Sequence, residues 1–144
     1  MKYRISKQFT FSASHQLSLP YASPCNHLHG HNYTVTIEVG ANELNPQGMV
    51  IDYALLNQVG DYIAQHYDHR HLNTVLKVAP TAENIAEDIL GTAITILANT
   101  GAVVASVAVS ETPKTSALVF NFNRPAPLPV ASVAINKGVD QDGD

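Results

Sequence analysis

The chain has 144 residues, a hydrophobic content of 45% and a formal net charge of −4, which fits one domain with enough apolar material for a core. Only eight residues are Lys or Arg, too few for the broad basic field that holds a phosphate backbone, so nucleic acid is excluded as a partner. The lone cysteine, Cys25, cannot form an internal disulfide, the start MKYRISKQFTF lacks a secretory apolar stretch, and no apolar run approaches a membrane span of roughly 20 residues, so a soluble cytoplasmic protein without membrane attachment is expected.

Tyr3, Ile5, Phe9 and Phe11 alternate with mostly polar neighbours, which predicts a half-buried strand over 3–11. Residues 32–39 alternate more cleanly, with Tyr33, Val35, Ile37 and Val39 on one face, and form the second predicted strand. After the turn signals Asn45-Pro46-Gln47-Gly48, Asp52 caps a predicted helix whose apolar positions Leu55, Leu56, Val59, Tyr62 and Ile63 recur at helical spacing, as far as about Tyr67. Pro80-Thr81 announces a second helix, with Thr81 as N-cap, Glu83 at its positive end and Ile85, Ile89, Leu90, Ala93, Ile94 and Leu97 along its apolar side. Val103 to Val109 and Ala117 to Phe122 then read as a hairpin around Glu111-Thr112-Pro113-Lys114.

This order of elements predicts an α+β domain over residues 1–123, a four-stranded antiparallel sheet with two helices on one face. Residues 124–144, with several prolines and an acidic end, read as a loosely held tail.

All seven histidines, His15, His27, His29, His31, His66, His69 and His71, lie in the first half of the chain. Pairing the first two strands as an antiparallel hairpin brings His15 close to His29 and His31, and two residues' separation puts the latter pair on one strand face. Three imidazoles converging in this way suit a Zn2+ ion with one open position, the arrangement of a catalytic site, whereas a structural site closes with a fourth Cys or His. His-Gly-His alone fits a solvated loop equally well, and His27 shares the alternation, so periodicity leaves it open as a ligand in place of one of the others.

Cys25 lies in a polar, accessible setting between Ser23-Pro24 and Asn26, where a thiolate can act as a base or nucleophile. In Asp68-His69 a carboxylate adjoins an imidazole and could orient it, although such a pair also fits a solvated turn. Glu111, at the end of the third predicted strand, could accept paired N–H donors from a flat heterocycle, although strand-end glutamates are usually solvated.

In order along the chain, Phe9-Thr10-Phe11-Ser12-Ala13-Ser14-His15, Leu28-His29-Gly30-His31-Asn32-Tyr33, Gly48 to Tyr53, Asp68-His69 with Leu72-Asn73, Pro80 to Asn84 and Val109-Ser110-Glu111-Thr112 together resemble the 6-pyruvoyl-tetrahydropterin synthase superfamily. The resemblance covers Phe9 to about Phe120. It implies zinc on His15, His29 and His31, a proton-transfer group of Cys25, Asp68 and His69, and a pterin ring anchored by Glu111 with help from Thr81. It further implies a tunnelling fold whose sheets join into an oligomeric barrel, as trimers stacked into hexamers with active sites built across subunit boundaries.

Three residues intervene between Cys25 and His29, as in the 6-carboxy-tetrahydropterin branch. That branch implies a lyase of queuosine biosynthesis acting on 7,8-dihydroneopterin triphosphate, with release of acetaldehyde and triphosphate and no redox cofactor. The alternatives are triphosphate elimination to 6-pyruvoyl-tetrahydropterin, or a zinc- or pterin-binding module without turnover. His27 and the segment after Asn123 depart from the family pattern.

Overall fold

The computed structural model describes residues 1–122; the expected domain boundary at 123 and the tail over 124–144 lie outside the described residues. Strand β1 (Tyr3–His15) and strand β2 (His29–Ala41) are the alternating segments of the sequence, each extended toward the histidines to a length of 13 residues. They pair antiparallel from Tyr3↔Ala41 to His15↔His29. Both strands place one apolar residue in two toward the core, so the register that buries Phe11, Tyr33, Val35, Ile37 and Val39 is also the one that sets the histidines opposite each other.

Asp52 does cap the next segment, its side chain accepting from Ala54 N–H at 2.8 Å. The first turn it caps, Tyr53–Leu56, is a 3-10 turn, and helix α1 runs over Asn57–His66. Val59 and Ile63 turn into the core while the rest of that helix stays mostly exposed or half-buried. Helix α3 (Ala82–Ile96) follows later in the chain, and its N-cap is Thr81, whose hydroxyl accepts from Asn84 N–H at 3.2 Å. It buries Ile85, Ala86, Ile89, Leu90 and Ala93 on strand β4 (Val103–Thr112) and strand β5 (Thr115–Phe120), which form the expected hairpin.

Two features correct the four-stranded, two-helix expectation. The sheet has five strands in the order β3-β1-β2-β4-β5, where β3 is Arg70–His71 and runs parallel to β1 at Ala13 and Ser14. A short helix, α2 (Leu72–Val75), follows it. The chain leaving α1 is tied to β1 by His69 N–H donating to Ser12 O at 2.7 Å, and the next two residues continue along that free edge. Two residues are too few to show a period in sequence, and α2 is a single turn that buries Leu72. β4 runs on through Glu111, as expected of a strand end, to Thr112, which was expected in the turn.

One apolar cluster joins the core-facing side of β1, β2 and β4 to α1, α2 and α3, so the helices share a face as predicted. Burying each of its larger aliphatic or aromatic side chains is worth about 1.5–3 kcal/mol, and Tyr33, Tyr67, Ile37, Leu56, Ile63 and Leu72 are all fully buried. Among the described residues no helix is long and apolar enough to cross a membrane.

Candidate metal centre and active site

The core-facing row of β1 and β2 changes character at one end. Phe11 stacks on Tyr33 with ring centroids 4.6 Å apart; beyond Tyr33 the same face of β2 holds His31 and His29, and beyond Phe11 that of β1 holds Ala13 and then His15. The histidine rings meet edge to face at 4.5–5.1 Å between centroids, and one ring nitrogen from each lies within 4.8 Å of the others. These three could hold a metal ion.

The outer nitrogens decide how the inner ones are presented. Nδ1 of His15 donates to the carbonyl of Pro80 at 2.7 Å, and Nδ1 of His29 donates to the carbonyl of His27 at 2.7 Å. A carbonyl only accepts, so each Nδ1 carries a proton and each neutral ring keeps its lone pair on Nε2. Those two Nε2 atoms are 2.9 Å apart, a contact between lone pairs that a cation would relieve. Nε2 of His31 is buried and makes no hydrogen bond of acceptable geometry, its nearest partner being the Glu111 carboxylate at 3.1 Å. Burial, ahead of the charges around it, lowers the His31 pKa and favours the neutral ring that a metal requires. The donor set therefore fits zinc: three imidazole nitrogens, with carbonyls behind two of them.

Glu111 stands beside this cluster. Its Oε2 is 3.1 Å from His31 Nε2 and 4.0 Å from His15 Nε2, because β2 pairs with β4 at Thr34↔Ser110 and puts Glu111 across from Tyr33. Sequence reading placed Glu111 at a strand end without locating it here; the signal was present, since Val107, Val109 and Glu111 alternate in step with His31, Tyr33 and Val35. A hollow of 300 Å³ opens against Glu111 between β4, β5 and the first turn of α3, where Ala82 and Glu83 line it. Thr81 precedes that turn, and its hydroxyl, though accepting from Asn84, keeps its hydrogen for donation.

Asp68 and His69 form a pair of their own. Asp68 Oδ2 is 3.0 Å from His69 Nδ1, and Asp68 Oδ1 accepts from Ser12 N–H at 2.9 Å. That backbone bond, ahead of the histidine, lowers the Asp68 pKa and keeps the carboxylate ionised. His69 has φ 58°, a left-handed conformation that costs a non-glycine residue about 1 kcal/mol, and its side chain is 83% exposed. It lies on a groove of 520 Å³ with Arg70, His71, Ser12, Ser14 and Asn32.

Cys25 is half-buried in the 3-10 turn Pro24–Asn26, where its N–H donates to Ser23 Oγ and its carbonyl accepts from Leu17 N–H. Among the described residues no hydrogen bond or ion pair joins Cys25 to Asp68 or His69. The side chain of His27 is exposed and it stands outside the metal-capable group; its contribution is the carbonyl that orients His29.

The α+β sheet thus ends in a trio of oriented imidazoles that could hold a metal ion, with a carboxylate alongside, on a fold of the tunnelling type. The family model for 6-pyruvoyl tetrahydropterin synthase matches residues 4–121, and the chain belongs to that family. It is similar to a putative 6-carboxy-5,6,7,8-tetrahydropterin synthase of Archaeoglobus fulgidus, 36% identical over 76 residues that make up 53% of this chain and 63% of that protein. It is also 35% identical to a dihydroneopterin monophosphate aldolase of Pyrococcus furiosus, over 60% of this chain and 70% of that one. Among solved structures, a Caenorhabditis elegans 6-pyruvoyl tetrahydropterin synthase superposes with a TM-score of 0.71 at 27% identity, covering 82% of this chain and 94% of that one. The chain spans only 44–63% of the length of the first 6-carboxy relatives it matches.

Proposed function

We propose that the protein is a zinc-dependent lyase that takes 7,8-dihydroneopterin triphosphate and water to 6-carboxy-5,6,7,8-tetrahydropterin, acetaldehyde and triphosphate, a reaction of queuosine biosynthesis. The observation that carries this reading is the pair of Nε2 atoms of His15 and His29, turned toward each other by backbone carbonyls, with a ring nitrogen of His31 within 4.8 Å of them. His15, His29 and His31 would hold the ion, which supplies a Lewis acid for the hydroxylated side chain of the pterin.

Cys25, as thiolate, takes a proton from that side chain, and His69, oriented by Asp68, is its complement. Glu111 accepts from the N–H edge of the pterin ring, supported by the hollow beside it, and the Thr81 hydroxyl donates to the ring. The missing contact between Cys25 and the Asp68–His69 pair is supplied across a subunit boundary, in a homohexamer built as a dimer of trimers. Assembly is supported by β5, an edge strand with Leu118 51% and Phe120 49% exposed, the kind of edge that other chains pair with. Residues 1–123 are the catalytic domain and 124–144 a tail.

The Cys25 to His29 spacing and the relatives named 6-carboxy-5,6,7,8-tetrahydropterin synthase support the carboxy product. The Caenorhabditis elegans likeness favours, as a second reading, elimination of triphosphate to 6-pyruvoyl-tetrahydropterin. The Pyrococcus furiosus likeness favours side-chain cleavage of a dihydroneopterin monophosphate.

The deciding assay incubates the zinc-loaded protein with 7,8-dihydroneopterin triphosphate and follows acetaldehyde and the pterin product by mass spectrometry, beside a Cys25→Ala control. Acetaldehyde and carboxy product, both lost in the control, are expected. Pyruvoyl product selects the second reading, and no turnover in either protein points to a binding module or to another pterin.

A further inference from the structure

The turn that carries Asp68 and His69 is fixed to β1 at Ser12 by two hydrogen bonds, Ser12 N–H donating to the Asp68 carboxylate and His69 N–H donating to Ser12 O. On its other side it follows Tyr67, a fully buried residue whose ring packs against Phe11 at 5.4 Å between centroids. The Tyr67 hydroxyl donates to Asp88 Oδ2 on α3. Tyr62, on α1, donates to the same oxygen at 3.0 Å. Burial, then the carboxylate, pushes the Tyr67 phenol far above its ordinary pKa, so it stays a donor.

A left-handed non-glycine residue persists only where its surroundings over-determine it. Packing alone would be served by phenylalanine at 67; a buried hydroxyl needs a partner and therefore selects one placement of the ring and of the backbone beside it. We propose that Asp88, acting through the Tyr67 hydroxyl, is a positioning residue that holds the Asp68–His69 turn in its productive place. The inference rests on the proposed proton-transfer role of that pair. Its consequence for the fold is that α3 braces both halves of the chemistry: Pro80, just before it, holds His15, and Asp88, in its second turn, holds Tyr67.

The test compares wild type with Tyr67→Phe, Asp88→Ala and Asp88→Asn in two measurements on the zinc-loaded protein. Amide hydrogen exchange reads the Ser12 and His69 N–H groups directly. Steady-state kinetics with 7,8-dihydroneopterin triphosphate separates kcat from KM. Tyr67→Phe and Asp88→Ala should each speed exchange at those two amides about tenfold, leave the β2 and β4 amides unchanged, and lower kcat about tenfold with KM within twofold. Asp88→Asn keeps an acceptor oxygen and should restore most of both.

Unchanged exchange in Tyr67→Phe and Asp88→Ala would overturn the proposal, and so would faster exchange at wild-type kcat. If the wild type itself does not turn over this pterin, the proposed function fails instead, and the exchange arm still decides whether Asp88 holds the turn.

Discussion

Nδ1 of His15 donates to the carbonyl of Pro80 across 65 residues of sequence, at 2.7 Å and out of contact with solvent. The residue that begins the run into α3 thus sets the tautomer of a residue at the end of β1. Removing either His15 or His29 should weaken zinc binding by more than the 10- to 100-fold that loss of a ligand's supporting partner costs, measured by titration against a competing chelator. The two should differ without metal. His15→Ala strands a buried carbonyl and should cost the apoprotein about 1–3 kcal/mol, whereas His29→Ala, at a more open position, should melt near wild type.

Cys25→Ala should lower turnover by at least 100-fold, the span attributed to a positioned acid or base. Its Sγ takes part in no described hydrogen bond, so zinc content and melting should stay within about 0.5 kcal/mol of wild type. A variant that loses its zinc would move Cys25 from proton transfer to metal binding.

Asp68 titrates lower in the fold than its ordinary 3.8 because it accepts from Ser12 N–H. The native state therefore binds fewer protons than the unfolded chain, and stability from this group is complete above the unfolded pKa and lost as pH falls through the folded one. Asp68→Asn should melt below wild type near neutrality, with the gap closing as pH falls through and below the ordinary carboxylate range. Thermal melts at stepped pH read this, and a constant gap would refute the assignment.

Two helix glycines should respond to alanine with opposite sign. A Cβ at Gly60 would sit 2.5 Å from the Phe9 ring, so the overlap, typically about 1–3 kcal/mol, should outweigh the roughly 1 kcal/mol that alanine gains in a helix. A Cβ at Gly91 meets nothing within 4 Å, so Gly91→Ala should stabilise by about 0.5–1 kcal/mol. Denaturant midpoints of the two variants settle both.

Long elements with strong periods were legible in the sequence. β1, β2 and α3 were legible from alternation and from the Thr81 cap, and the closeness of His15 to His29 and His31 followed from hairpin geometry, although the strands run further than their alternation, to His15 and from His29. β3 was not legible, since Arg70–His71 owes its place to a backbone bond from the preceding residue to Ser12. Nor were the carbonyls of His27 and Pro80, because a main-chain acceptor leaves no mark in residue type. Glu111 was selected by resemblance, and its approach to His31 depends on the β2 to β4 register, which no single strand's pattern reveals.

With zinc at the proposed site, the pairing of β1 with β2 would also make the ion a proofreader of the hairpin. A slip of one residue in either strand would turn its histidines to the opposite face of the sheet and put residues that are not histidine in their place. Metal-binding free energy is available only to the aligned hairpin and would be added to folding there, so misaligned chains would be left without it and the cofactor would select among folds before it served in any reaction.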